Sequence, residues 1–158
     1  MKLRIHTLWK VPMFCIVASV VSYYLTIYLG GYFFTVATVK PDGVTDISVD
    51  PIRSAIFSGI LFVSALLVGG FWVFRSMSKL EITVSAAIVF IIDLAVVLAQ
   101  LHVPNFPLTT SMKLAIFQEW DVFICSLLVR LTKHFESSVL LSCFSPFLFV
   151  PFGKKYPK

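Results

Sequence analysis

Apolar residues in this chain gather into long runs, and polar residues are confined to the short breaks between them. Runs over residues 11–39, 54–74, 82–101 and 114–131 each have the length that a bilayer asks for. A helix rises about 1.5 Å per residue, so roughly twenty residues cross a hydrocarbon core of about 30 Å. The pattern predicts an all-α fold, an integral membrane bundle of four transmembrane helices plus a C-terminal interfacial or re-entrant segment over about 138–152. Residues 1–158 then form a single polytopic membrane domain, with no room for a separate soluble domain.

The first run exceeds one bilayer thickness and must tilt, bend or protrude, with Gly30-Gly31 as the expected bend. A basic start before an apolar run also describes a secretory signal peptide, and Thr35-Val36-Ala37 is a weak cleavage site. The apolar part of such a peptide is only about 7–15 residues long, which favours an uncleaved span. Residues 40–53 are the most polar stretch, with Pro41-Asp42-Gly43 as a turn signal. Asp42, Asp46 and Asp50 are spaced by four, unlike the alternating ligands of a calcium loop, so a solvated loop is expected.

In the second run Ser54, Ser58, Ala65 and Gly69 fall on one helical stripe. Small residues at that spacing let two backbones approach closely, so the stripe is expected to meet another helix, either within the chain or on a partner. The fourth run carries Gln118, Glu119 and Asp121 in its first half, which places Glu119, Trp120 and Asp121 near an outer interface. The last apolar stretch, 138–152, is interrupted by Pro146 and Pro151 and is short for a span, hence its interfacial or re-entrant assignment.

Composition agrees with the pattern. The chain is 58% hydrophobic and 13% charged, against about 25% charged residues in an ordinary soluble domain. The net charge of +5 is not gathered into a basic patch, which argues against a nucleic-acid partner and for orientation signals. With the N-terminus inside, Lys2, Arg4, Lys10, Arg75, Lys79, Arg130, Lys133, Lys154, Lys155 and Lys158 fall on the inner side. Only Lys40, Arg53 and Lys113 fall outside. Excess of Lys and Arg marks the cytoplasmic face, so a multi-pass protein of the cell membrane with both termini cytoplasmic is expected.

The one group with conspicuous chemistry is Asp93, near the middle of the third run. A charged side chain there costs about 2.5–3.5 kcal/mol on insertion scales, so it should face the bundle interior. Gln100, seven residues on, shares its face, and Gln118 and Asp121 share a face of the fourth run. If the faces meet, Asp93, Gln100, Gln118 and Asp121 form an intramembrane polar cluster, with Tyr23, Tyr24, Ser64 and Ser126 as candidate donors. Two carboxylates held close there would share a proton.

No catalytic motif, metal-ligand spacing or phosphate loop occurs. Cys15, Cys125 and Cys143 form no close pair, and His6, His102 and His134 fall on both sides of the membrane. No enzyme activity, metal or cofactor is therefore expected. Two readings follow. One is a non-enzymatic accessory, regulatory or oligomeric subunit, meeting a membrane partner or a second copy through the second span. The other is a small transporter or ion-coupled protein with Asp93 as its proton or cation site.

Overall fold

The computed structural model describes residues 4–39, 45–103 and 107–154. It is mostly helical, and four of its helical segments are long and apolar enough to cross a membrane: Lys10–Phe33, Pro51–Val73, Lys79–His102 and Phe135–Phe152.

Helix α1 (Lys10–Phe33) stays helical through Gly30-Gly31, and ends where Phe34 donates its N–H to Gly30 O at 3.0 Å. The apolar run to residue 39 does not stay helical. Residues Thr35–Val39 (β1) and Thr45–Val49 (β2) pair as an antiparallel ribbon with Thr35 opposite Val49. Thr and Val are apolar enough to extend a hydropathy run, yet their branched Cβ atoms suit a pleated ribbon better than a helix. The turn signal at Pro41-Asp42-Gly43 lies outside the described residues.

Asp50 starts α2 (Pro51–Val68) by accepting the N–H groups of Ile52 and Arg53 at 2.8 and 3.2 Å. Pro51, with no N–H to satisfy, suits the first helical position. The helix widens into a π turn over Gly69–Val73, closed by Phe74 N–H on Gly69 O at 2.8 Å. Helix α3 (Lys79–His102) starts at a capping box: Glu81 donates its N–H to Ser78 Oγ at 3.2 Å, and Ser78 donates its N–H to Glu81 Oε2 at 2.9 Å.

The run expected as the fourth span is broken. Helix α4 (Leu108–Gln118) gives way to a 3-10 turn at Glu119–Asp121, and α5 (Val122–Thr132) leads away from it. The direction of α5 is visible in its contacts. Phe123 lies against Gly59 of α2, and Arg130 Nη2 donates to Pro51 O at 3.0 Å, at the end of the molecule that holds the β-ribbon. Helix α3 also ends there, so α4 and α5 form a hairpin that descends from the ribbon end and returns to it.

The remaining chain makes the descent that the sequence assigns to 114–131. Lys133, left-handed at φ 59°, caps α5, and α6 (Phe135–Ser142) runs back beside α5 into a 3-10 segment, Ser145–Phe152. That segment packs on α3, and Phe152 meets Gly70 at the far end of α2. Lys154 then donates its N–H to Met77 O at 3.0 Å and accepts that of Lys79 at 3.2 Å. Gly153 is required by this approach, because a Cβ there would lie 2.8 Å from the Lys79 backbone. Residues 114–131, expected as a span, are thus broken at Glu119–Asp121, and Phe135–Phe152, expected within an interfacial or re-entrant segment, is the fourth segment long and apolar enough to cross a membrane. Prolines at 146 and 151 do not end this helical segment, because 3-10 geometry and neighbouring helices absorb their missing donors.

The core is aromatic. Trp120 stacks between Phe62, at 5.5 Å, and Phe149, at 5.6 Å, and Phe149 meets Phe14 and Phe74 edge-on. Trp120, expected at an interface, is 2% exposed at the centre, whereas Trp9 and Trp72 at helix ends are 62% and 83% exposed. The outward face of α2, with Ile52, Ile56, Ile60 and Val63, and with Phe71 of the following π turn, is uncovered and largely apolar, Ser64 being its exposed hydroxyl.

Candidate functional site

The bottom of the α4–α5 hairpin is held by one hydroxyl of α1. Ser19, fully buried, donates to Phe117 O at 2.7 Å and accepts the Trp120 N–H at 3.3 Å. A helix break leaves backbone groups without partners, and a single Ser supplies both a donor and an acceptor. Here the consequence is positional: the last residue of α4 and the first residues after it are fixed beside α3.

Asp93, Gln100, Gln118 and Asp121 line one cavity of about 210 Å³ between α3, the hairpin turn and α6. Glu119, Cys125 and Cys143 also border it. Asp121, 7% exposed, accepts a hydrogen bond from Ser145 Oγ at 3.0 Å. Expected near an outer interface, it is buried within the protein, at the turn of the hairpin. Asp93 is half-buried, and among the described residues no side chain or backbone group hydrogen-bonds to it.

Asp93 and Gln118 also border a second cavity of about 190 Å³, between α1, α3 and α4. Its wall is otherwise apolar, with Cys15, Phe117 and Trp120 among its members. Asp93 thus stands where two compartments of different polarity adjoin.

The donors expected for the cluster are elsewhere. Tyr24 is 52% exposed and pairs with Tyr23 and Tyr28 through ring contacts. Ser64 is exposed, and Ser126 donates to Phe123 O of its own helix at 2.8 Å. Ser145 takes their place at Asp121. It lies in a segment whose prolines hid its path across the bundle, so nothing in the sequence placed it at this depth.

The small-residue stripe of α2 packs inside the chain over part of its length. A Cβ on Gly69 would lie 2.8 Å from the rings of both Phe14 and Phe149, and Ala65 packs on the same core. Ser58 donates to Ser54 O of its own helix at 2.9 Å, and both line a space shared with α5. The three cysteines are free thiols, and no group of His, Cys, Asp and Glu among the described residues has the geometry to hold a metal ion.

A second polar site was missed although its signal was present. Ser78-Lys79-Leu80-Glu81 is a capping-box sequence, and Glu81, 1% exposed, also accepts two hydrogen bonds from the Arg4 guanidinium, at 2.9 and 3.1 Å. Arg4 further donates to Ser76 O at 2.9 Å, and Ser85 Oγ donates to Leu8 O. This site closes one end of the bundle and does not join the cavities. Comparison with protein families, curated proteins and solved structures finds no match to this chain.

Proposed function

We propose that this chain is a multi-pass membrane protein that takes a proton or cation at Asp93 inside its helix bundle, as a small ion-coupled transporter with no covalent chemistry of its own. The observation that carries this is the position of Asp93, half-buried and with no hydrogen bond or ion pair among the described residues, in the walls of two cavities. An unpaired carboxylate in a bilayer is costly, and such groups mark ion pathways more often than they serve packing alone. Water or a cation in the cavity would offset that cost.

The α4–α5 hairpin supports the same reading. Backbone that leaves helical geometry at membrane depth is tolerated where it is enclosed by protein or lines a wet cavity. Interrupted helices of this kind point their ends at ions in transporters, and a helix C-terminus carries partial negative charge suited to a cation. Gln118, the last residue of α4, lies in the wall of both cavities.

In the bilayer, the segments Lys10–Phe33, Pro51–Val73, Lys79–His102 and Phe135–Phe152 cross, and α4–α5 re-enters. Arg4, Lys10, Arg75, Lys79 and Lys154 cluster at one end, and Arg53, Arg130 and Lys133 at the other. The excess keeps the Arg4 end cytoplasmic. The uncovered face of α2 is satisfied by lipid, so a subunit role has no specific chemistry behind it here.

The test is flux. Purified protein in liposomes loaded with a pH-sensitive dye should dissipate an imposed proton or cation gradient, and Asp93→Asn should abolish this while leaving helical content intact. Undiminished flux in Asp93→Asn would sink the proposal.

A further inference from the structure

We infer that the apolar cavity beside Asp93, between α1, α3 and α4, binds a compact lipophilic organic monocation, such as an amine or quaternary ammonium carrying a hydrocarbon or aromatic group. This names the substrate class of the site proposed above and rests on that reading of Asp93.

The wall decides the class. Among the described residues of the wall, Asp93 supplies the one formal charge and Gln118 the one amide, while Ile16, Val89, Phe117 and Trp120 supply apolar and aromatic surface. A bare divalent ion needs about six or more oxygen ligands, or near-ideal octahedral geometry with retained waters. One carboxylate and one amide do not provide that. An organic cation asks for less: a single counter-charge, aromatic faces for its positive end and hydrocarbon for the remainder. The volume of about 190 Å³ is below the roughly 300–1,000 Å³ of drug-sized pockets, so the ligand is small.

The rim says how such a ligand arrives. Ile16 and Ile92, which border the cavity on α1 and α3, are 41% and 52% exposed. The opening therefore lies between two helices on an apolar side of the bundle, where a lipophilic cation dissolved in the bilayer would meet it. The neighbouring cavity differs, because Asp121 there is already hydrogen-bonded to Ser145 and the lining is more polar. Asp93 alone among the described carboxylates borders both.

The probe is benzyltrimethylammonium, with its uncharged carbon isostere neopentylbenzene as comparator, against the full chain in lipid nanodiscs. Trp120 in the cavity wall reports binding by fluorescence once Trp9 and Trp72, both exposed, are replaced by Phe. The cation should bind saturably and at least about tenfold more tightly than the isostere, and Asp93→Asn should erase that preference, a difference of one charge contact. Asp93→Glu should retain it, and Asp121→Asn, outside this wall, should leave it within about threefold, the expectation for a separate site.

Should Asp93→Asn fold poorly, Ile92→Phe narrows the rim without touching a buried polar group or adding a second tryptophan, and should weaken binding. Equal affinity for the two probes, absent saturation, or cation binding unchanged in both Asp93→Asn and Ile92→Phe would overturn the inference. Cation binding without flux in liposomes leaves this site standing and removes the transport reading. Asp93-dependent flux without cation binding does the reverse.

Discussion

Arg4 and Glu81, 77 residues apart, are joined by two hydrogen bonds, from Nε to Oε1 at 2.9 Å and from Nη2 to Oε2 at 3.1 Å. Arg4 is half exposed and Glu81 is 1% exposed, so the pair lies at the boundary where the bundle ends. The same carboxylate completes the cap of α3, and the chain's last described residues pair with the backbone just before it. One acidic side chain therefore ties the N-terminal segment to the α2–α3 turn, on which the C-terminal segment also closes.

From this follows a prediction about coupling. Arg4→Ala and Glu81→Ala should each destabilise the protein, and the double variant should cost less than their sum by about 1–3 kcal/mol, as for close charge-assisted pairs. Unfolding in mild detergent, followed by circular dichroism, measures the cycle. Simple additivity would show that the two side chains act separately.

The hairpin predicts sidedness. Cysteine placed at Arg130 in a background without native cysteines should react with a membrane-impermeant maleimide from the same side as cysteine at Arg53, and from the side opposite to cysteine at Lys154. A single crossing over 114–131 requires the other result, with 130 and 154 on one side.

Gly69 and Gly31 should respond in opposite ways to added bulk. Gly69→Leu forces a side chain into the rings of Phe14 and Phe149, and overpacking of that kind costs about 1–3 kcal/mol. Gly31 has open space around its would-be Cβ, so Gly31→Ala should stabilise α1 by roughly 0.5–1 kcal/mol through helix propensity. Equal effects at both positions in an unfolding assay would remove the packing role given to Gly69.

Ser19 should be more important than its single hydroxyl suggests. Ser19→Ala leaves both Phe117 O and Trp120 N–H without their partner, at about 1–3 kcal/mol for each buried group left unsatisfied. Because the turn it holds carries Asp121, Ser19→Ala should also lower Asp93-dependent flux, and normal flux with normal stability would contradict this.

Lys133 sits in the left-handed region at φ 59°, a conformation that costs a residue bearing a Cβ about 1–2 kcal/mol. Lys133→Gly should therefore raise the unfolding midpoint, while Lys133→Val should lower it. A flat response to both would mean the cap is not maintained in solution.

Much of the architecture was legible in the order of apolar runs. Helices close to 10–33, 51–73 and 79–102 follow from it, because length and hydropathy alone decide whether a helix suits a bilayer. Four long apolar helical segments were expected and four are present. The identity of the fourth was not legible. Residues 114–131 and 138–152 both mix apolar length with interruptions, polar in one and proline in the other. A hydropathy run does not say which interruption turns the chain.

Periodicity alone put Asp93 and Gln100 on one face of α3, since side chains seven apart share a face of any helix. Periodicity likewise paired Gln118 with Asp121, although the helix breaks between them. Tertiary structure decided that all four line one cavity, because the meeting of α3 with the hairpin turn depends on Ser19 binding the break from α1. It also decided that the stripe on α2 packs against this chain's own Phe14 and Phe149 at Gly69. Local pattern determines which face of a helix is polar or small. Which neighbour that face meets depends on long-range packing, to which residues distant in the chain contribute, as Arg4 does at Glu81.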